Sequence, residues 1–386
     1  MNQFDVAIIG AGPGGSAAAI TLSRAGYSVA LLDKERFPRE KLCGDFVNPA
    51  NWPLFRDLGI EEQILSSDHE QVTTFRISSF SGAEAEVPLW PRNGQAVFGL
   101  GLRRASLDNL LLKKADSEGA SVWQGCRVIG LNHEARRWSL AVERGRSIEE
   151  VHPRALIGAD GRNSWVAHRL GLARRLKIRE RSVGFQLWLK CANQGRGKVE
   201  IHTFPGGYAG LVGLSDGMVN LCFAIEKDQL WRHRSFDGLL ESCLTQNPHL
   251  KEVLARSERV GAIRSTYPVY FPPRRSYADG VLLVGDAARV SEPVTGEGIY
   301  FALKSGVLAA RSIDQAFQRS DFSTDHLRSY ERNCRRTFRV RRSINSLIRL
   351  LIYRPALLSP IIRFSARRAR ILDSIVHTIC QPEIAR

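Results

Sequence analysis

The sequence has few of the features that mark secreted, metal-binding or membrane-spanning proteins. Its 386 residues include seven cysteines, an odd and scattered set without a C-x-x-C pair, which argues against a disulfide framework and favours reduced thiols. The nine histidines show no metal-ligand spacing, so we predict no metal site. No apolar run is long and uncharged enough to cross a bilayer, and no leader precedes the first apolar run. We therefore expect a cytoplasmic location.

Acidic residues are also scarce. Lys and Arg together number 55 against 39 Asp and Glu, which gives a formal charge of +16 and implies an acidic partner, either a membrane surface or nucleic acid. Between Arg328 and Arg370 the only acidic residue is Glu331. Apolar residues are interleaved with the arginines there, and we expect Pro355 and Pro360 to break what would otherwise be one helix.

This basic tail allows two interpretations. A solvated basic face is one, but a basic helix with an apolar stripe is typical of a membrane interface. Neither an aromatic stacking set nor a known nucleic-acid motif accompanies the charge. We therefore predict a peripheral contact with an anionic membrane at the inner leaflet, and no nucleic-acid partner.

The stretch from Phe4 to Asp33 is the most informative part of the chain. A short apolar run ends in G-x-G-x-x-G, formed by Gly10, Gly12 and Gly15, and a helix-forming segment and a second apolar run follow. The first glycine makes a tight turn, the second lets backbone approach a pyrophosphate, and the third lets the helix pack on the strand. An acid after the second strand accepts hydrogen bonds from a ribose. The predicted dinucleotide-binding residues are Gly10, Gly12, Gly14, Gly15, Asp33 and Lys34.

Two later segments also fit a flavin nucleotide. One is GADGR at Gly158 to Arg162, and the other runs from Leu282 to Gly306. In the second, Asp286 ends an apolar strand, where its carboxylate would hold a ribityl chain; a simple helix cap is the alternative. Pro293 and the glycines of TGEG bring backbone N–H groups to a helix start, which stabilises the negative charge of a reduced flavin.

At these residues the chain resembles the flavoprotein superfamily of the geranylgeranyl reductases and the single-component aromatic hydroxylases. The resemblance covers about residues 1–310 and is closest to the reductases, through the run from Gly285 to Gly306, KLCGD around Cys43, and RASLD at Arg104 to Asp108. It implies FAD, with further cofactor contacts at Arg104, Asp160, Gly161, Gly285, Asp286, Gly296 and Gly298. It also implies Cys43, Tyr208 and Pro293 as candidate catalytic residues. For Cys43, a small buried apolar side chain is the alternative.

Two patterns add to the resemblance. Residues from Ser182 to Tyr270 alternate as strands do, and a helix is predicted from Leu102, with Ser106 as its cap and Gly119 as its stop. Together these observations predict the fold. We expect an α/β protein with a Rossmann-type FAD-binding domain, an inserted antiparallel substrate domain like that of the aromatic hydroxylases, and a helical C-terminal tail. The predicted domains are residues 1–70, 95–180 and 270–320 for FAD, 71–94 and 181–269 for substrate, and 321–386 for the tail.

The resemblance implies an FAD-dependent oxidoreductase that reduces carbon–carbon double bonds of a lipophilic, isoprenoid-like substrate. Because the chain has one Rossmann fingerprint, NAD(P)H would dock transiently on the FAD site as the reductant. FPGGYAGLVG keeps Tyr208, but Gly210, Val212 and Gly213 stand where the reductases carry bulky residues, so the substrate stays open. The W-x-W-x-I-P signature of flavin-dependent halogenases is absent, and we do not predict halogenation.

Two alternatives remain at this point. The first is a monooxygenase, in which reduced flavin reacts with dioxygen and hydroxylates a phenolic lipid or polyketide. The second is a flavin-binding or membrane-binding protein without turnover, against which an intact Asp286 and TGEG argue. The oligomeric state is not predicted.

Overall fold

The computed structural model describes residues 2–89, 98–134, 137–173, 182–191, 195–233, 235–368 and 370–381. The strands are β1 Asn2–Ile9, β2 Val29–Asp33, β3 Phe46–Val47, β4 Glu70–Val72, β5 Thr74–Ser78, β6 Glu84–Pro88, β7 Gly99–Gly101, β8 Ser121–Gln124, β9 Cys126–Glu134, β10 Arg137–Arg144, β11 Ser147–Gly158, β12 Ser182–Lys190, β13 Lys198–Phe204, β14 Gly207–Gly213, β15 Met218–Glu226, β16 Glu258–Thr266, β17 Tyr277–Ala278 and β18 Val281–Leu283.

Helices connect and cover these strands. They are α1 Pro13–Arg24, α2 Trp52–Leu58, α3 Glu61–Leu65, α4 Arg104–Ser117, α5 Trp165–Arg169, α6 Lys227–Leu230, α7 Phe236–Cys243, α8 Pro248–Ala255, α9 Gly298–Arg319, α10 Thr324–Thr337, α11 Arg339–Ile352, α12 Pro355–Arg367 and α13 Arg370–Cys380. Short 3-10 turns lie at Pro49–Asn51, Leu244–Gln246, Gly285–Ala287 and Pro293–Thr295.

The first sheet has the order β17-β18-β11-β1-β2-β8, with β10 and β9 added beyond β11 as an antiparallel hairpin. Strand β1 is parallel to both β2 and β11. Val6 and Ile8 of β1 pack under α1, α4 and α9, whereas Ala7 and Ile9 pack against β9, β10 and α5. Because both faces of β1 are buried, its sequence is a continuous apolar run instead of an alternating one.

The second sheet has the order β16-β12-β15-β14-β13-β5-β6 and is antiparallel except where β5 pairs with β13. One face packs against α7 and α8. The other face is covered by the tail helices: Ile352, Leu358 and Ile362 contact Ile201 and Tyr208 of the sheet. The tail therefore closes the second sheet, and its apolar residues are partly used in that packing.

A buried ion pair fastens the tail to the first sheet's last helix. Arg341 of α11 and Glu297, just before α9, are 2% and 1% exposed, and their Nη1 and Oε1 atoms are 2.7 Å apart. The same guanidinium donates to the carbonyl of Ile379 near the end of α13. Among the described residues, none of the helices is long and apolar enough to span a membrane.

The predicted fold class is confirmed, whereas the division into domains stays a prediction. Two local predictions were wrong. Helix α4 begins at Arg104, because the carboxylate of Asp45 accepts its backbone N–H at 3.0 Å and replaces the expected cap Ser106. Pro355 does open α12, but Pro360 lies inside that helix, on an exposed side where a lost backbone hydrogen bond is open to water.

Strands β8 and β9 are separate elements, although only Gly125 lies between them. The chain turns at Gly125, so that β8 pairs with β2 and β9 leaves to pair with β10.

Replacement of Arg341 by Ala tests the attachment of the tail. Because Glu297 would be left buried without its cation, we expect the free energy of unfolding to fall by about 3–5 kcal/mol. Arg256→Ala is the matched control: Arg256 pairs with Glu252 at 2.9 Å on an exposed helix surface, and the loss there should be under about 1 kcal/mol. Urea unfolding curves measure both, and equal losses would contradict the assigned role of Arg341.

Candidate functional site

A cavity of about 380 Å³ extends from the start of α1 to the tail helices. Its lining comes from the loop before α1, the KLCGD loop, the tail-facing side of the second sheet, the turn before α9, and α11 to α13. Most of its wall is apolar side chain, and the polar groups are concentrated at the end near α1 and α9. The cavity therefore joins a polar end to a long apolar end.

The loop between β1 and α1 is shaped by backbone contacts. Gly10 has φ +104°, and a Cβ there would lie 2.4 Å from the carbonyl oxygen of Ala159. A Cβ on Gly15 would lie 1.9 Å from the carbonyl oxygen of Gly10, so the loop and helix touch directly. A Cβ on Gly12, by contrast, would meet only Arg39 Nη2, at an ordinary contact distance of 3.6 Å. This leaves a bare helix start at which a pyrophosphate fits.

Arginines stand beside that open space. Arg104 binds Asp108 through two hydrogen bonds of 2.9 and 2.8 Å, and it lines the cavity. Arg39 Nη1 lies 3.1 Å from Asp108 Oδ2, but within the described residues this buried nitrogen makes no hydrogen bond. A buried donor without an acceptor is costly. A phosphate oxygen near Gly12 would supply the acceptor, so these residues fit the diphosphate of FAD.

Asp33 ends β2 and Lys34 follows it, and neither residue lines the cavity. Asp33 Oδ2 accepts the backbone N–H of Ala11 at 2.7 Å, and Oδ1 accepts that of Glu35 at 2.9 Å. The carboxylate is thereby fixed next to the glycine loop. The Lys34 side chain is 65% exposed and lies 3.9 Å from Glu35. The ribose contact of Asp33 stays a prediction, and Lys34 faces solvent.

The middle of the site is formed by the GADGR segment and the end of β18. Gly161 and Arg162 line the cavity, whereas the Asp160 carboxylate accepts the N–H of Val166 in the first turn of α5. Arg162 Nη2 lies 3.6 Å from Asp286 Oδ2, and both side chains are partly exposed to the cavity. Burial raises the pKa of Asp160. A ribityl chain beside Asp286 would meet a carboxylate already oriented by a cation.

The predicted flavin end of the cavity is built on the turn before α9. Gly285, Pro293, Gly296 and Gly298 line the cavity, and an added Cβ on Gly298 would meet open space. Gly296 has φ +63° and would place a Cβ 2.6 Å from the ring of Phe46. Helix α9 lacks a side-chain cap, so its first backbone N–H groups are free to face an anionic flavin. The two uncapped helix starts, α1 and α9, thus border one cavity.

The KLCGD loop closes the other side of this end. The carbonyl of Cys43 accepts hydrogen bonds from Gln186 and Asn220 of the second sheet, at 2.8 and 2.9 Å. The thiol lines the cavity, and burial raises its pKa, which keeps it neutral. Burial also raises the pKa of Asp45 to about 6. Lys41 lines the cavity, and burial together with Arg104 lowers its pKa.

A hydrogen-bonded pair stands where the polar and apolar ends meet. The phenol of Tyr208 donates to Glu292 Oε1 at 2.6 Å, and Tyr353 of the tail donates to the same oxygen at 3.2 Å. Arg349 Nε lies 3.4 Å from Glu292 Oε2. Burial raises the pKa of Glu292, and burial together with the Glu292 charge raises that of Tyr208. Both groups therefore tend to hold protons.

A polar cluster lies on the opposite face of β13, away from the cavity. Nε2 of His249 and of His202 lie 3.1 and 3.5 Å from Glu200 Oε2, and Arg76 Nη1 lies 3.6 Å from it. The two imidazole rings stack with centroids 4.7 Å apart, so their nitrogens stand side by side. Spacing in the sequence did not suggest this group. One ligand atom each of Glu200, His202 and His249 lies within 4.8 Å of the others, close enough to hold a metal ion, so the absence of a metal site stays a prediction.

The structure brings most of the predicted site residues to one cavity. Those that line it are Gly12, Gly14, Cys43, Arg104, Gly161, Tyr208, Gly285, Asp286, Pro293, Gly296 and Gly298. Gly10 and Gly15 shape the loop behind it, and Asp33, Lys34 and Asp160 lie outside the lining.

Sequence reasoning missed Arg39, Lys41, Arg162, Glu292 and the apolar wall from the tail. Glu292 directly precedes Pro293, and Lys41 belongs to KLCGD, so adjacency could have suggested them. No local signal pairs the tail with the second sheet.

Comparisons with known proteins agree with this geometry. A family model described as "FAD binding domain" matches residues 3–340. A menaquinone reductase of Mycobacterium tuberculosis is 31% identical over 81% of this chain and 77% of its own. Digeranylgeranylglycerophospholipid reductase 2 of Methanopyrus kandleri is 29% identical over 85% and 81%. The structure of the flavin-dependent brominase Bmp2 superposes with a TM-score of 0.83 at 20% identity, over 98% and 93%, which shows a shared fold.

Gly12→Val should give colourless protein with an unchanged fold. The added Cβ meets only the Arg39 side chain, at 3.6 Å, but occupies the predicted space of the pyrophosphate, so FAD binding should be lost. Flavin absorbance and urea unfolding of the apoprotein measure the two effects. Gly119→Asn, at the end of α4 with open space around an added Cβ, is the control and should stay yellow. Full FAD occupancy in Gly12→Val would move the phosphates elsewhere.

Asp286→Ala should weaken FAD binding by one to two orders of magnitude. A hydrogen bond to a charged group contributes roughly 1.5–3 kcal/mol, and about 1.4 kcal/mol corresponds to tenfold. Asp237→Ala removes a carboxylate that pairs with Arg259 on the surface, and its affinity should match the wild type. Flavin fluorescence titration measures both. Unchanged affinity in the Asp286 variant would remove this residue from the site.

Proposed function

This chain belongs to the FAD-binding-domain family and is an FAD-dependent enzyme, and on that premise we propose that it reduces a carbon–carbon double bond of an isoprenoid-like lipid. The family membership confirms the resemblance drawn from the motifs and sets aside a protein without turnover. The reaction and its substrate are the proposed part.

One observation carries the proposal: the flavin end of the cavity continues into a long apolar wall. The second sheet contributes Phe75, Ile77, Val199 and Ile201, and the tail contributes apolar residues of α11 to α13. Burying a charged or unpaired polar group in such a wall is costly, whereas a hydrocarbon chain is favoured by its apolar area. A long neutral lipid with a reactive double bond at the Pro293 end fits this shape.

The names of two relatives support a lipid substrate. One is a menaquinone reductase and the other a digeranylgeranylglycerophospholipid reductase. Both names denote compounds with long hydrocarbon chains. The departure at Gly210, which lines the cavity, makes the wall roomier than a bulky residue would. We infer a chain of the same kind but leave its head group open.

Reduction of the double bond needs a hydride at one carbon and a proton at its neighbour. FAD, when bound in its reduced form, would supply the hydride. Tyr208 supplies the proton: when Glu292 is protonated, the hydrogen bond between the two side chains reverses, so that the carboxyl donates to the phenol oxygen and the phenolic proton is directed to the cavity. After transfer, Glu292 returns a proton to Tyr208. The raised pKa of Glu292 keeps this proton available.

The reductant is proposed to be NAD(P)H, which docks transiently at the FAD site. The chain has one G-x-G-x-x-G, and that loop already serves the FAD diphosphate. Arg162 and Lys41 place nitrogen donors at the cavity for the reductant's phosphates. Reduction of the bound flavin by NADH or NADPH, followed by its absorbance, tests this point.

Anaerobic turnover separates the candidate reactions. The prereduced protein is mixed without oxygen with menaquinone or with a geranylgeranyl phospholipid, and flavin absorbance and product mass are followed. The proposal expects the flavin to reoxidise and the lipid to gain two hydrogens. If turnover requires air and the product gains oxygen, the protein is a monooxygenase; if it requires air and halide and the product gains halogen, it is a halogenase.

Tyr208→Phe should lower kcat for the lipid by roughly 10²–10⁴-fold, the usual contribution of a positioned acid, with FAD binding unchanged. Cys43→Ala is the matched cavity variant. If Tyr208 is the proton donor, Cys43→Ala changes KM more than kcat, because its thiol only contacts the lipid. Single-turnover flavin reoxidation measures the chemical step. A larger kcat loss in Cys43→Ala would transfer the proton-donor role to Cys43.

A further inference from the structure

The tail helices expose large apolar side chains beside the cavity. We define the tail surface as six of the large apolar residues exposed on α11 to α13, each between 36% and 57% accessible: Leu347, Leu350, Leu357, Ile361, Phe364 and Ile375. An exposed apolar set of this size marks an interaction site more often than chance exposure does. Because these residues lie on three neighbouring helices, the tail surface is a candidate interaction site.

Helix α12 is apolar on two sides. Leu358 and Ile362 are buried against the second sheet, whereas Leu357, Ile361 and Phe364 recur at spacings of four and three on the exposed side. Such a stripe is one face of a helix. The protein covers only the inner side, so the outer stripe is available for a second apolar medium.

Positive charge surrounds the stripe. Arg354 precedes it, Arg363 and Arg368 lie within and after it, and all three are exposed. The guanidinium carbon of Arg368 lies 5.4 Å from the Phe364 ring centre. From residue 332 to residue 372 the sequence contains no acidic residue. Apolar side chains ringed by arginines match the interface of an anionic bilayer.

The tail surface is continuous with the cavity. Leu347, Ile361 and Ile375, one from each of α11, α12 and α13, are exposed and also line the cavity. Deeper along the same path, Leu351, Leu358 and Ile362 continue the apolar wall. The cavity therefore reaches the exterior between these three helices.

We propose that the tail surface docks on an anionic lipid bilayer, with the outer stripe of α12 in the headgroup region and the cavity opening toward the acyl chains. A second copy of this chain fits less well, because it would bring the same arginines face to face. Membrane binding is independent of the reaction; only the entry of substrate by this route rests on the proposed function.

Flotation of the FAD-bound full chain with vesicles tests the proposal. We expect binding to phosphatidylcholine vesicles that contain phosphatidylglycerol, and much weaker binding without it. At 1 M salt the Debye length falls to about 3 Å, so a purely electrostatic contact is released, whereas an inserted stripe retains part of the binding. Complete release at 1 M salt, or no binding to either vesicle, would overturn the proposal.

Two sets of substitutions separate the apolar and charged contributions. The first variant combines Leu350→Gln, Leu357→Gln and Phe364→Gln, at positions that do not line the cavity. It should abolish the fraction of vesicle binding that resists 1 M salt. The second variant combines Arg354→Gln, Arg363→Gln and Arg368→Gln. It should weaken binding to anionic vesicles at low salt by about a hundredfold, at about fivefold per charge. The matched control combines Gln at three exposed apolar positions elsewhere, Leu65, Ile129 and Ile148, and should bind like the wild type.

Further measurements distinguish a failure of membrane binding from a failure of folding or of the proposed reaction. Flavin absorbance shows that each variant is folded, and reduction of a detergent-solubilised lipid reports the enzyme separately from the membrane. Normal reduction in detergent with lost flotation supports the docking surface; lost flotation in the control set overturns it. A dimer by light scattering that dissociates in the Leu350, Leu357 and Phe364 variant would assign the surface to a second copy instead.

Discussion

Direct contact between backbones sets the geometry of the cofactor site. Gly15 lies against Gly10, and Gly306 of α9 lies against Gly14, where a Cβ would be 2.2 Å from a carbonyl oxygen. The first contact fixes α1 on β1, and the second fixes α9 on α1. Since interiors are close-packed, a single methyl group at either point would separate the elements. The two helix starts can share one cavity only because these contacts carry no side chains.

The motifs that could be predicted from sequence are those whose partners are near in the chain. The glycine loop, the strand before it and Asp33 lie within one supersecondary unit, so periodicity and glycine spacing identify them. The cap of α4 is different, because it comes from Asp45, 59 residues away. The pairing of Tyr208 with Glu292 spans 84 residues. Such contacts depend on how two sheets are joined, which no local pattern encodes.

The tail shows how composition misleads when it is read without packing. Its arginines looked equivalent in sequence, yet Arg341 is buried in an ion pair, and Arg349 lies against Glu292 and the Tyr270 ring. Its apolar residues likewise divide into a wall for the cavity and an exposed set. Neighbours such as Leu350 and Ile352 differ completely in burial. The side of the helix on which a residue lies decides whether its side chain is buried or exposed.

The covering of the second sheet by α11 to α13 bears on synthesis of the chain. Strands β13 and β14 leave the ribosome well before the helices that cover them, and at 5–20 residues per second the interval is on the order of ten seconds. During that time the apolar face of the sheet is exposed to other nascent chains. Edge strand β6 carries Glu84 and Glu86 on its outward face, and charges of this kind oppose edge-to-edge pairing. In the nascent sheet, the charges on β6 thus oppose pairing with other strands at this edge before α11 to α13 cover the apolar face.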